Sequence, residues 1–590
     1  MPPRTQAAPS GRGRGRGRGR SMVVGGAQLT GLLMSCEGAG NLLTLMQQHD
    51  KACNHIHVSC ALARLAKLPL GTPLHADTRA GVAELLRMAK ERLPQMEARE
   101  LAKTLWAVSK LGVDDAAFVG ALLVAAETKL PSFKAQDLAN TVWSLATLGH
   151  NDAAFMTALL VVAKSKLTIF NSQDLANTVW ALATLRHKDA AFMGALLVAS
   201  KNKLTSLTSQ ALANTVWALA TLGHNDAAFM GALLVASKNK LTSLTSQALA
   251  NTVWALATLG HNDAAFMGAL LVASKNKLTS FTSQALANKV WALATLGHND
   301  AAFMSALLVA AETKLPRFNS QALANTVWAQ ATLGHNDAAF MGALLVAAET
   351  KLRSFNPQNL ANTALANTVW AMATLGHKDA ACMGALLVAA ETKLHSFNPQ
   401  ALANTAWALA VLDAQSVAFV EALIQRVDAS ATDFNTPELC QLFQFVLWLD
   451  TWQVATDVPP RLLVRCKHAR MEEVSNTTVS RTQLQVFEAV RQLPGCSDAS
   501  GEHLTANGLF CIDIAVQLPG VQKLAVEVDG PTHFLSNAPA VPNGATRLRN
   551  RLLEVRGWRV VSMTVTEWRR QVAKGKQTAH VYLAALGVCG

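Results

Sequence analysis

SQALANTVWALATLGHNDAAFMGALLVASKNKLTSLT, residues 209–245, decides the architecture, because nearly the same string recurs every 37 residues. Trp106, Trp143, Trp180, Trp217, Trp254, Trp291 and Trp328 keep that step; Trp370 follows after 42 residues and Trp407 resumes the step of 37. Degenerate units flank the series, one at ALARLAKL (61–68) and one around Trp448. Each unit parses into two helices. SQALANTVWALATL holds good helix formers and no glycine or proline. Gly149 with His150 supplies a stop in the left-handed cap conformation. Asn151 or Asp152 then caps AAFMTALLVVAKSKL, whose terminal lysines suit the helix dipole. Pro131, Pro316, Pro357 and Pro399 fall between units, where a helix must break. One helical pair cannot bury its own apolar faces, so the units must stack into an α-solenoid.

The first helix presents three stripes. Leu138, Val142 and Leu145 form a core stripe at helical spacing. Ala139, Trp143 and Ala146 form a second, and the tryptophans are expected in the core rather than as base-stacking platforms. Burying each would contribute roughly 4–6 kcal/mol. Gln136, Asn140 and Thr147 form a polar stripe. Its asparagine recurs at Asn140, Asn177, Asn214, Asn251, Asn288, Asn325, Asn367 and Asn404, with Lys103 in the first unit. Asparagine is a poor mid-helix residue, so either an amide ladder between repeats or a ligand-facing groove favours it. Seven turn histidines, His150 to His377, are too dispersed to chelate a metal. In LANTALANTVW (360–370) five residues are duplicated. This insertion advances a helix by about 500° and predicts a lengthened or bulged helix.

At 590 residues, 51% hydrophobic and 15% charged, the chain is not a disordered one. Its apolar runs, such as AAFMGALLVAA (338–348), stop well short of the roughly 20 residues a membrane span needs, so no membrane insertion is expected. The net charge of +13 is uneven: residues 1–20 carry six arginines and no acid, and residues 510–590 carry ten basic against five acidic residues. Residues 1–40 read as a basic, low-complexity leader that resembles an organellar transit peptide; an RNA-binding arm and a plain flexible tail are the other readings. Nine cysteines without a CxxC pair point to a reduced compartment. The cluster Cys53, His55, His57 and Cys60 has zinc-ligand chemistry, but its histidines splay on a helix, which favours packing.

Degenerate repeats are expected over 41–100, regular ones over 101–412, and a degenerate repeat with a linker over 413–475. After Pro459 and Pro460 the pattern changes. QLQVFEAVRQL (483–493) reads as a helix, LFCIDIAVQL (509–518) and KLAVEVDG (523–530) as strands, GATRLRNRLLEVRGW (544–558) as a basic helix and RVVSMTVTEW (559–568) as a strand. Interleaved strands and helices indicate a small α/β domain over 476–590, with its core at 509–570.

The helical-pair unit resembles heptatricopeptide and octotricopeptide repeats, which are organellar RNA-binding solenoids. The string IDIA, EVDGPTHF and LLEVRGW, followed by EW, resembles the RAP domain. That resemblance implies a restriction-endonuclease-like core that binds RNA, and a mainly α protein acting in post-transcriptional RNA metabolism: processing, stabilisation or translation of a transcript or ribosomal RNA. It implies single-stranded organellar RNA or rRNA as the partner, alongside ribonucleoprotein components, in the chloroplast or the mitochondrion, with the chloroplast preferred. The asparagine row, Lys289, Arg547 and Arg551 are the expected RNA contacts, with the RAP domain as a clamp. If neighbouring units read bases singly, the near-identical repeats at Trp217 and Trp254 should prefer the same base, with Lys289 and Gln330 marking departures. No cofactor and no catalytic set is assigned. The rival readings are a protein-binding scaffold and a metal-dependent endoribonuclease. The latter would use Asp513, Glu527 and Asp529, with Asp513 and Glu527 holding Mg²⁺, Glu488 nearby and His533 as proton carrier. The lysine of the PD-(D/E)xK pattern is missing, since Asp529 stands in its place.

Overall fold

Each repeat's two helices are delimited by local chemistry. The Thr208 side chain accepts from Ala211 N–H to start helix Ser209–Leu222, and Gly223 ends it at φ 68°. Asp226 then accepts from Phe229 N–H and starts helix Ala227–Lys238. In the repeat before, Arg186 takes the glycine position at φ 52°, a left-handed conformation that costs a side chain about 1 kcal/mol. A computed structural model describes residues 26–70, 75–351, 359–452, 458–475, 479–496, 498–505, 510–517 and 523–588. The described residues form a series of helical pairs followed by a strand-containing region. The far N-terminal leader and Pro357 lie outside them.

The chain forms two compact units, Met1–Leu207 and Thr208–Gly590. In the first, helix Gly26–Ser35 packs on helix His55–Leu65 through Leu29 and Leu33. A packed helix therefore lies within the stretch 1–40 expected to be leader. The first helices Ala98–Leu111, Ala135–Leu148 and Ser172–Thr184 pack side by side. Leu138, Val142 and Leu145 are buried as expected. The zinc reading of residues 53–60 gives way to packing. Asn54 and His57 form a reciprocal N-terminal cap, and the other ring nitrogen of His57 lies 2.8 Å from the Gly26 carbonyl. All described cysteines are free thiols.

In the second unit the same stacking continues from helix Ser209–Leu222 to helix Thr436–Trp452. Two ladders tie successive repeats. Lys277 Nζ donates to the carbonyls of Thr242 (2.8 Å) and Leu244 in the preceding connection, and Lys314 reaches Thr279 (2.7 Å) and Phe281 in the same way. The turn asparagines Asn225, Asn262 and Asn299 donate forward to the carbonyls of Leu259, Leu296 and Leu333 at 3.0–3.3 Å. The duplicated LANTA is absorbed as extra length: helix Asn359–Leu375 has 17 residues where Ser320–Thr332 has 13.

The C-terminal domain holds a four-stranded sheet in the order β1-β2-β3-β6, formed by β1 (Ser500–Leu504), β2 (Cys511–Gln517), β3 (Lys523–Asp529) and β6 (Trp558–Thr564). The pairs β1/β2 and β2/β3 are antiparallel, and β3/β6 is parallel. Helix Gly544–Val555 makes the crossover that a parallel pair requires. β1 and the hairpin β4 (Phe534–Leu535) with β5 (Ala538–Pro542) were not anticipated from sequence. The last strand stops at Thr564, whose hydroxyl caps helix Val565–Ala573, so it is shorter than expected.

Candidate nucleic-acid interface

The first helices from Trp143 to Trp328, and that of Trp407, carry glutamine, asparagine and tryptophan at i, i+4 and i+7, a spacing that places them on one face; Arg99 and Lys103 precede Trp106, and Thr363 takes the glutamine position before Trp370. In the repeat at Trp254, Gln247 is exposed while Asn251 and Trp254 are half-buried. Gln247 Nε2 donates to Asn251 Oδ1 at 2.8 Å, and the same bond joins Gln173 to Asn177, Gln210 to Asn214, Gln284 to Asn288 and Gln321 to Asn325. The asparagines therefore form no ladder between repeats along most of the array. That ladder belongs to the turn asparagines. Once the glutamine N–H is committed, the asparagine N–H₂ and the glutamine carbonyl remain for an outside partner.

Two expectations about this face need correction. Trp106, Trp143, Trp180, Trp217, Trp254, Trp291, Trp328 and Trp370 are half-buried rather than core; only Trp407 and Trp448 are enclosed. Tryptophans one repeat apart approach each other, with ring centroids 6.3 Å apart for Trp143 and Trp180. Lys67 and Lys110 lie over the rings of Trp106 and Trp143. Lys289, expected to contact RNA, is fully buried: its Nζ bonds Ser274 Oγ at 2.6 Å and lies 4.9 Å from the Phe281 ring. Burial lowers its pKa to about 7. Gln330 is equally buried, its Nε2 against Met341 Sδ. Neither residue reaches the open face, so neither interrupts its pattern.

At the C-terminal end the row closes. Asn404 is buried and accepts from Gln441 of the next helix, and the Trp407 indole donates to Gln444 at 2.8 Å.

The arginine pair expected to clamp RNA performs a different task. Arg551 donates to the carbonyls of Ala410 and Val411 at the end of helix Pro399–Leu412. The Arg547 guanidinium lies against Gly376, the left-handed residue that ends helix Asn359–Leu375. Arg556 donates to the Leu447 carbonyl of the following first helix. At the near end, Asn537 exchanges two 2.8 Å hydrogen bonds with the Asn336 backbone, and Ser536 N–H donates to Gly334 O at 2.7 Å. The small domain thus lies across the C-terminal ends of four successive first helices, where unpaired carbonyls and the negative end of the dipole favour cations. Gly544 is essential to the fit, since a Cβ there would stand 2.3 Å from the Ala373 carbonyl oxygen. Burial lowers the pKa of all three arginines.

The acidic cluster is tied down by a mixture of hydrogen bonds and one ion pair, with Asp529 Oδ2 and the Glu527 oxygens making no hydrogen bond. Asp513 accepts from Gln483 Nε2 at 2.9 Å and from Val528 N–H at 2.8 Å. Glu527, almost wholly enclosed, pairs with Arg549 Nη1 at 2.6 Å. Burial, against the pull of that guanidinium, raises the pKa of Glu527 to about 8. Asp529 is buried and holds His533 Nδ1. Glu488 is exposed and turned to Arg491, so Gln483 takes the position beside Asp513 expected for it. The residues present do not fit a divalent ion at Asp513 and Glu527, because Arg549 already supplies the compensating charge. Among the described residues no group of three His, Cys, Asp or Glu side chains is placed to hold a metal. Arg549 belongs to the basic helix read from sequence as a phosphate-binding element, but its pairing with Glu527 was missed; the missing lysine of the nuclease pattern was the available hint.

Between these groups and the last helices of the array opens a cleft of about 760 Å³. Gln444, Gln483, Thr532, His533, Asn543, Arg549 and Arg569 contribute to its polar wall.

Comparison with known families agrees with this architecture. The RAP domain family matches residues 526–585. The N-terminal domain of the Tbc2 translation factor matches residues 183–303 and 298–471, and the RNA-editing substrate-binding complex 6 protein family matches residues 80–227. Among solved structures, the chain is similar to one in the homology model of the full-length AP-3 complex in an intermediate open conformation. That match has 11% identity over 78% of this chain and 91% of the other, and its TM-score of 0.27 is too low to carry a fold argument. The chain carries a C-terminal RAP domain preceded by a long series of helical repeats. Among the described residues no helix is long and apolar enough to cross a membrane.

Proposed function

We propose that this protein binds single-stranded RNA along the glutamine–asparagine–tryptophan row and acts in the post-transcriptional metabolism of an organellar transcript or ribosomal RNA. The observation that carries the reading is the geometry of that row. Each repeat from Trp180 to Trp328 leaves one amide donor, one amide acceptor and one half-exposed indole on the same face, which suits hydrogen bonding to a base edge beside a stacking surface. Two of the matched families, named for a translation factor and for an RNA-editing substrate-binding complex, support the same partner class beside the RAP domain match. With one base per repeat, nine or ten units would span about 9–10 nucleotides. The acid-poor, arginine-rich first residues support an organellar address, and the resemblance to repeat-plus-RAP proteins is the ground for preferring the chloroplast. The RAP domain's clamp is then the cleft face, because Arg547, Arg551 and Arg556 are spent on the array.

Selection from a random RNA pool with residues 26–590 at near-physiological salt tests the reading. Leaving out the Gly-Arg run removes its nonspecific phosphate binding. Enrichment of a motif about ten nucleotides long is expected. Because the row is unchanged from Gln173 to Trp328, that motif should contain a homopolymeric stretch. A pool with no enriched motif would return the array to the class of protein-binding scaffolds. The endoribonuclease reading has no support in the acid cluster, where an arginine fills the cation position.

A further inference from the structure

We propose that the cleft between the end of the array and the RAP domain receives the base of one nucleotide from the strand leaving the repeat row. The inference rests on the RNA reading above and assigns a separate site to it. Its first ground is continuity. Gln444 occupies the tryptophan position of the last first helix, holds the Trp407 indole, and also lines the cleft. A strand following the row past Trp407 meets this opening next.

The second ground is charge. Three arginines line the cleft, but so do three carboxylates, Glu473, Glu502 and Asp513. Arg470 lies 2.5 Å from Glu473, and Arg549 is bound to Glu527. The cleft is therefore close to neutral, which suits a base better than a bare phosphate. Its remaining polar wall is hydroxyl and amide: Thr532, Asn543 and Thr546 on one side, Ser480, Thr482 and Gln483 on the other. Leu447, Phe510, Leu552 and Val565 supply apolar surface. Convergent neutral polar groups among apolar walls, in a volume of this size, are the usual composition of a small-ligand site. A base taken out of its stack is read in such a pocket through its hydrogen-bonding edge.

The third ground is fixed geometry at the rim. The buried Asp529 carboxylate holds His533 by Nδ1, which leaves the Nε2 side of a half-exposed ring at the cleft wall. Thr546 and Asn543 bond the His533 backbone and keep the loop in place. Arg569 is exposed at the same rim, where it can meet the phosphate of the inserted nucleotide.

The test uses residues 26–590 and the RNA motif enriched in the selection, extended by one to three nucleotides at either end, with 2-aminopurine placed at each added position in turn. One position, at one end only, should show a large fluorescence change on binding, and an abasic site there should weaken binding about tenfold. Ala545 is an exposed residue lining the cleft, so Ala545→Trp fills the space without touching the core. It should abolish the fluorescence change and reproduce the abasic penalty on unmodified RNA. Arg569→Glu, on the rim, should weaken binding of the extended RNA but leave the core motif unaffected. An Ala545→Trp protein that binds extended RNA with wild-type affinity and wild-type fluorescence would overturn the cleft assignment and leave the array reading intact. Failure of the wild-type protein to bind any selected RNA would instead sink the array reading.

Discussion

Two stretches of one array, the repeats centred on Trp217, Trp254 and Trp291 and those from Trp328 to Trp448, share a sequence pattern but use it differently. In the first, the turns after the first helices bond only one another: Asn262 donates to Leu296 O, and the His298 ring meets Asn262 Oδ1 at 2.8 Å. In the second, those same turns and helix ends form the seat of the RAP domain. His335 is buried and its pKa lowered there, whereas His298 is half-buried. The tryptophan row follows the same division, half-exposed at Trp254 and enclosed at Trp407. A repeat's residues therefore do not have fixed roles. What lies on the helix ends decides whether a turn is solvent-facing or an interface.

The strongest way to break the comparison is to undo the seat. Arg551→Glu places a carboxylate against the carbonyls of Ala410 and Val411 and should cost about 3–5 kcal/mol of docking. The RAP region should then become sensitive to limited proteolysis while the repeats around Trp254 stay protected. An unchanged digestion pattern would show that the arginine row does not hold the domain.

Next in size is Lys289, the charged residue buried within the open repeats. Its folded pKa of about 7 lies below the unfolded value near 10.5, so the folded chain binds fewer protons between those limits. Stability should therefore rise with pH from about 7 to 10. Lys289→Thr restores the repeat's usual residue; it should flatten that dependence and stabilise the neighbouring repeats by roughly 2–4 kcal/mol at pH 7. Thermal denaturation of the two proteins across that range checks both statements.

A smaller effect separates the two classes of tryptophan. Trp254→Ala should weaken RNA binding by about 1–2 kcal/mol, or fivefold to thirtyfold, with little loss of melting temperature. Trp407→Ala should do the reverse, lowering stability through the cavity it leaves. Equal effects on RNA affinity would dissolve the distinction between open and closed ends of the row.

The smallest test compares the asparagines. Asn262→Ala loses two bonds within the array, to Leu296 O and to the His298 ring, and Asn537→Ala loses two bonds to the Asn336 backbone, at about 1 kcal/mol per bond. Hydrogen exchange should rise near Leu296 in the first variant and near the β4–β5 hairpin in the second.

The repeat architecture was legible because its signals are local: a 37-residue period, a stop at Gly149, a cap at Asp152, an alternating apolar β2. The RAP elements were legible for the same reason. What stayed hidden depends on partners distant in the chain. Asn336 and Asn537 are 201 residues apart, and nothing around Arg547 or Arg551 distinguishes an arginine facing RNA from one capping another helix. The indole face was misread because a large aromatic beside small alanines fits both a closed core and a groove wall. Lys289 was misread because a lone lysine at a threonine position resembles a surface change.

The seat also sets where the array is free to change length. The RAP domain spans the ends of four particular helices, so inserting or deleting a whole unit between Gly334 and Asp450 would move one anchor out of reach of its arginine or hairpin. From Thr208 to Gly334 no such measure applies: the forward bond repeats at Asn225, Asn262 and Asn299 and the backward bonds at Lys277 and Lys314, so one more unit of that sequence makes the same bonds as its neighbours. The near-copies from 209 to 282 lie in that unconstrained stretch, while the seated stretch carries the five-residue insertion and Cys382. If the proposed RNA reading holds, recombination at one end would alter the length of strand covered while the other end keeps its domain in register.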